Sequence, residues 1–188
     1  MFHPIKHFKT ITTHRHMVMQ ECFRVGLYRQ GLLHDLSKYS PTEFIVGARY
    51  WQGNRSPNNA EREDTGLSTA WLHHKGRNKH HYEYWIDYVR KDGQIELAGM
   101  KMPVNYVVEM CMDRIAACKV YNGDAYTQKD PLAYYQKGNP SRFMHPDTSA
   151  LLEKLLVMLA EEGEEALYSY IKTVVLPQWR RDRRKKRH

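Results

Sequence analysis

The chain has 188 residues, 41% of them hydrophobic and 27% charged, which is enough for one domain with a sizeable core. No apolar run reaches the roughly 20 residues needed to cross a bilayer, and the start, MFHPIKHFKT, lacks the apolar stretch of a secretory signal. The net charge of +8 is concentrated at the end: residues 180–188, RRDRRKKRH, carry seven Arg or Lys against one Asp, leaving +2 for all the rest and no strong pull of the body on a polyanion.

In chain order, His14 to Tyr28 places Val18, Cys22 and Val25 on one face at steps of four and three, which predicts an amphipathic helix with His14 on the same face. Gly31 eases a turn into a second helix through LLHDLSK. A third opens at SPTEF, with Ser40 as cap, Pro41 in the first turn and Glu43 completing a capping box. Residues 52–66, QGNRSPNNAEREDTG, read as a loop. LSTAWLHHK is a short helix that GRN breaks, and HHYEYWIDYV begins another. A Gly-punctuated connection follows, with a small hairpin around Gly93 and Gly99. Pro103 then starts the longest expected helix, which carries Val104, Val107, Val108, Cys111, Ile115 and Cys118 on one stripe and Asp113 beside it. HPDTSALLEKLLVMLAEE and EALYSYIKTVV are two more helices. There is no βαβ rhythm and no glycine-rich phosphate loop, so the expected fold class is all-α, a bundle of about seven helices. One domain should cover residues 1–179, with residues 180–188 as a flexible basic tail. Cys22, Cys111 and Cys118 form no CxxC pair and read as reduced core thiols of a cytoplasmic protein.

The chemistry lies in the histidines, eleven in all. The stretch GLLHDLSKYS ends an apolar run in an imidazole, a carboxylate and an ammonium, each costly to bury alone. Taken singly, His34-Asp35 is a buried hydrogen-bonded pair. With His14, His74, His80, His81 and Asp113 it becomes a set of imidazole and carboxylate ligands spread over several helices, the way bundles build metal sites. Such ligands suit iron, manganese, zinc, nickel or magnesium, one ion or two. Neighbours on a helix point about 100° apart, so His74 and His80 are favoured over His81, and His73 is left out. Lys38, with Arg77 or Arg114, can meet the charge on phosphate oxygens. Asn78 and Glu83 can orient imidazoles, and Asn78 can also contact substrate. For His3, His7, His16 and His145, solvent exposure or simple capping is expected.

The pattern of His14, GLLHDLSK and a distant Asp113 resembles the HD-domain superfamily of metal-dependent phosphohydrolases over roughly residues 14–120. His14, His34, Asp35 and Asp113 match its four signature positions. LHHKGRNKHHYEYW resembles the extra histidines of its two-metal members, and Lys38 matches the lysine of the HDxxK pattern in the HD-GYP branch. The Gly-Tyr-Pro motif is absent, so cyclic-dinucleotide hydrolysis does not carry over. HDLSKYSPTEF and HHKGRNKHHYEYW together also look like small bacterial and phage HD-like proteins. The resemblance implies an HD-like helical bundle in which Asp35 and Lys38 are catalytic and Lys38, Arg77 and Asn78 hold a nucleotide or other phosphate ester. Asp35 would bridge two metals that activate water for attack on phosphorus. It also leaves open the di-iron oxygenases of the inositol oxygenase type, which carry a lysine at the same place. A third reading, of another class, is a binding module whose basic tail makes salt-sensitive contacts with nucleic acid.

Overall fold

The structure, a computed structural model, describes residues 1–185. It is predominantly helical: α1 (Pro4–Arg24), α2 (Tyr28–Leu33), α3 (Pro41–Arg49), α4 (Pro57–Thr65), α5 (Thr69–Lys75), α6 (Val104–Asn122), α7 (Asp130–Gly138), α8 (Pro146–Glu162), α9 (Glu164–Tyr170) and α10 (Leu176–Lys185). One antiparallel hairpin, β1 (Ile86–Lys91) and β2 (Gln94–Gly99), stands between α5 and α6. Proline sits in the first turn of α1, α3, α4, α7 and α8. Its fixed φ suits helical entry, and its missing N–H would have had no partner there. Among the described residues no helix is long and apolar enough to cross a membrane.

Leu152, Leu155, Leu156 and Leu159 of α8 pack against Val107, Val108, Cys111 and Ile115 of α6 and Val18 and Cys22 of α1, all essentially inaccessible to water. Each such side chain contributes about 1.5–3 kcal/mol by burial. The thiols are core groups: Cys22 and Cys111 are buried and Cys118 half-buried, all free. Burial pushes the Cys118 thiol up to about 11 and the Cys111 thiol up to about 12. Helices α1 and α6, which frame this apolar core, also present His14 and Asp113 to each other.

Several expectations change. Helix α1 starts at Pro4 rather than near His14, so α1, with 21 residues, and not α6, with 19, is the longest. Its buried stripe is His7, Ile11, His14, Val18 and Cys22; two histidines hide its apolar period. His7 is therefore neither exposed nor a cap. Its ring lies where α3 comes closest: a Cβ on Gly47 would sit 2.3 Å from His7 Nε2. Burial, with the Lys38 charge, lowers the His7 pKa to about 4. Residues 57–65, within the expected loop, form α4, whose buried Glu61 accepts hydrogen bonds from Thr69 N (2.9 Å) and Thr69 Oγ1 (2.7 Å) and from Ser68. YEYW is a 3₁₀ turn that leads into β1, not a helix. Asp92 and Gly93, both at positive φ (49° and 81°), make the tight turn of the hairpin. Of the basic segment, residues 180–185 continue α10, while residues 186–188 lie outside the described residues.

Candidate metal centre

The expected second helix breaks at the residues that matter. Helix α2 stops at Leu33, His34 is extended (φ −55°, ψ 129°), and Asp35 is left-handed (φ 53°, ψ 26°) before a 3₁₀ turn over Leu36–Tyr39. Left-handed geometry is unfavourable for a residue bearing a Cβ and is kept where the surroundings demand it. Its consequence is visible in the contacts. Adjacent side chains diverge on a regular helix, whereas here His34 and Asp35 both turn inward, His34 Nε2 lying 3.3 Å from Asp35 Oδ2.

Asp35 is 1% exposed, and its two oxygens face different groups. Oδ2 meets His34 Nε2 and His14 Nε2 (3.7 Å), which Asp113 Oδ1 approaches at 3.5 and 2.9 Å. Oδ1 meets His74 Nε2 (3.3 Å) and His80 Nε2 (3.4 Å); the His81 ring packs on both of these imidazoles. Donor atoms of His14, His34, Asp35 and Asp113 all lie within 4.8 Å of one another, as do those of Asp35, His74, His80 and His81. Either group could hold a metal ion. Ligands about 2.1 Å from an ion stand about 3.0 Å apart on an octahedral edge and about 3.4 Å on a tetrahedral one, close to most of these separations. Nε2 of His14, His34, His80 and His81 and Oδ1 of Asp35 are buried without a hydrogen-bond partner. Buried polar atoms rarely go unpaired, and a metal ion held in either group would satisfy the atoms that face it.

The far sides of the rings are held by carboxylates. Glu109, 4% exposed, accepts from Nδ1 of His34 (3.0 Å) and of His80 (3.2 Å). Glu43 accepts from Nδ1 of His74 (2.7 Å) and of His73 (2.6 Å). A proton fixed on Nδ1 leaves Nε2 as the free donor facing inward, the usual support for a ligating imidazole. His34, His80 and Glu109 also lie close enough together to form a third donor group, but the hydrogen bonds from both Nδ1 atoms already account for it.

Charge points the same way. With neutral histidines, the carboxylates of Asp35, Asp113, Glu109 and Glu43 face one ammonium, Lys38, whose Nζ is 2.6 Å from Asp35 Oδ2. The cluster therefore has an excess of negative charge, which only protons or metal cations can balance. Burial opposes charge on His34 and His74, but Asp35 and the carboxylates hydrogen-bonded to them outweigh it and raise both pKa values. Burial likewise opposes charge on Asp35, yet His34, Lys38 and His74 hold its carboxyl well below the usual range. Burial, with His80 and His74 nearby, keeps His81 neutral.

The structure thus gathers His14, His34, Asp35, His74, His80, His81 and Asp113, with Lys38 at the edge. His80 and His81 lie beyond α5 in irregular chain rather than on one helix, so both can face the cluster. Arg77 is not brought in: it is exposed and its Nη1 donates to His73 O (3.3 Å). Asn78 is buried, and its Nδ2 donates to Ser37 Oγ and to His74 O, both at 2.8 Å, which makes it a brace rather than a free substrate contact. Among the described residues Glu83 makes no hydrogen bond to an imidazole, and burial raises its carboxyl pKa. Ser40 Oγ makes no cap, and Glu43 points to the histidines instead of back to the helix start, so the expected capping box does not form. His145 does cap, accepting from Asp147 N at 3.1 Å. Sequence reasoning misses Glu109, although it lies one turn before Asp113 on α6 and is buried there. Glu43 was missed because a capping box explained it locally.

No curated protein and no solved structure matches the chain. A family does, over residues 3–158, which take in every residue of the cluster and stop before α9. Its description names no activity, and the match spans most of the sequence: the chain belongs to the Family of unknown function (DUF5662).

Proposed function

We propose that the chain is a metal-dependent phosphohydrolase of the HD type, acting on a nucleotide or other phosphate ester through a two-metal centre. The observation that carries the reading is the Asp35 carboxylate, with one oxygen toward His14 and His34 and the other toward His74 and His80. That is the placement of a bridging ligand. His14, His34 and Asp113 would complete one site and His74, His80 and His81 the other. A pair of divalent ions there supplies an activated water and Lewis-acid polarisation of a phosphoryl oxygen.

The chain's own residues do the rest. Glu109 and Glu43 orient the imidazoles. Substrate enters where the cluster is least covered, at the side chains of Lys38 (27% exposed) and Asp113 (16% exposed). Burial opposes charge on Lys38, but Asp35 and Asp113 outweigh it and keep it charged. An ammonium fixed there stabilises negative charge developing on phosphate oxygens. Arg114, the other arginine considered for phosphate, follows Asp113 on α6 and is half-buried beside the rings of Tyr134 and Tyr135, and its Nε has no partner.

The test is phosphate release from a panel of nucleotides and simple phosphate monoesters by protein loaded with manganese or ferrous iron. Wild type should turn over at least one substrate, and Lys38→Met should lose about 10²–10³ in rate while keeping its metal. Metal-loaded protein that releases no phosphate but consumes oxygen with a polyol would replace this reading with the oxygenase.

A further inference from the structure

We infer that α10 is a nucleic-acid-binding surface whose arginines engage the phosphate backbone. The inference is independent of the metal centre. It rests on α10 being an anchored helix rather than a loose tail. Leu176 is buried and Trp179 packs on the core. Beyond them Arg180, Arg181, Arg183, Arg184 and Lys185 are all exposed, with Asp182 the one acid among them. Among the described residues, none of these five cations is in an ion pair, unlike Arg24 and Lys119, which pair with Glu164. The positive charge is left for a partner and held at helical spacing.

Two features select the partner. The cations are mostly arginine, whose planar fork binds phosphate oxygens in pairs. Arg183 lies over the ring of half-buried Trp179 at 5.0 Å, an aromatic–guanidinium pair of the kind on which bases stack. A membrane-surface helix would need an exposed apolar face. Here the apolar residues of α10 turn into the core, and residues 180–185 include no apolar side chain. RNA and DNA share the backbone chemistry, and the test separates them.

The full chain and a variant combining Arg180→Gln, Arg181→Gln, Arg183→Gln and Arg184→Gln would be titrated by fluorescence anisotropy. The probes are labelled single strands and duplexes of RNA and of DNA, from 50 to 300 mM salt, with phosphatidylserine vesicles in parallel. These side chains are exposed, so the variant should keep the wild-type circular dichroism spectrum and melting temperature. Loss of about four phosphate contacts should make the slope of log affinity against log salt shallower by roughly 2.8 to 3.6, with at least ~30-fold weaker binding at about 50 mM salt. Preference among the four probes would name the nucleic acid. Equal binding by the variant, no binding by wild type at 50 mM salt, or binding to vesicles alone would each overturn the inference.

Discussion

The two halves of the candidate centre are built differently. His14, His34 and Asp113 come from α1, the end of α2 and α6, so their meeting depends on helix packing across the molecule. His74, His80 and His81 come from one short stretch, held by the turn after α5 and braced from α3 by Glu43. Asp35 faces both halves, and Glu109 holds one imidazole of each. A half made by tertiary packing should be lost only with the fold, whereas a half made locally can be loosened by itself. The two groups that join them should act on both.

The largest effect on that comparison is expected from Glu109→Gln. A neutral amide cannot replace two charge-assisted bonds, so both ions should bind about 10–100-fold more weakly. Competitive titration with a chromophoric chelator would show it; loss confined to one ion would contradict the joint role of Glu109. Glu43→Gln should weaken one ion by a similar factor and leave the other at wild-type affinity. Cobalt(II) absorption spectra would show one altered and one unaltered component. Equal loss of both would mean that the local half is not separable.

Much of the first half was legible in the sequence, because a histidine, an adjacent His-Asp and a distant aspartate form a recognisable pattern even when far apart. What could not be read was how the chain aims them. The left-handed Asp35 replaces the helix expected through LLHDLSK; aspartate tolerates that geometry better than most residues, but the helical pattern around it gave no sign that it would be used. The second half was legible as composition but not as geometry. Helical periodicity argued against using both His80 and His81, and the chain there is not a helix. The supporting carboxylates were hidden for opposite reasons: Glu43 had a satisfactory local explanation, and Glu109, off the apolar stripe of its helix, had none. The helical class followed from periodicity and the hairpin from its glycines, Gly93 in the turn and Gly99 at the end of β2, but α4 did not, because it depends on the bonds of Glu61.

Smaller effects test the frame that carries the first half. Gly47→Ala would drive a methyl group into the His7 ring and should cost about 1–3 kcal/mol of stability, read as a lower urea midpoint. An unchanged midpoint would mean that α1 and α3 separate at little cost. His7 also gives the frame a pH dependence. Its pKa is about 4 in the folded chain against 6.5 for an ordinary histidine, so the unfolded chain takes up a proton there first. Its contribution to stability is complete above pH 6.5 and is lost as pH falls toward 4. Urea midpoints of wild type and His7→Leu across that range isolate it, because protonation of the cluster is common to both. The wild type should fall more steeply with acid; parallel curves would show that His7 does not titrate differently on folding.

The most direct test of the central claim is the metal content of protein purified without chelators, by elemental analysis, in wild type and Asp35→Ala. A bridging carboxylate predicts about two equivalents of iron, manganese or another divalent ion in wild type, and loss of both in the variant. Wild-type protein that binds no metal, even after addition of iron, manganese, zinc or nickel, would contradict the claim and leave Asp35 as one carboxylate of a buried hydrogen-bonded cluster.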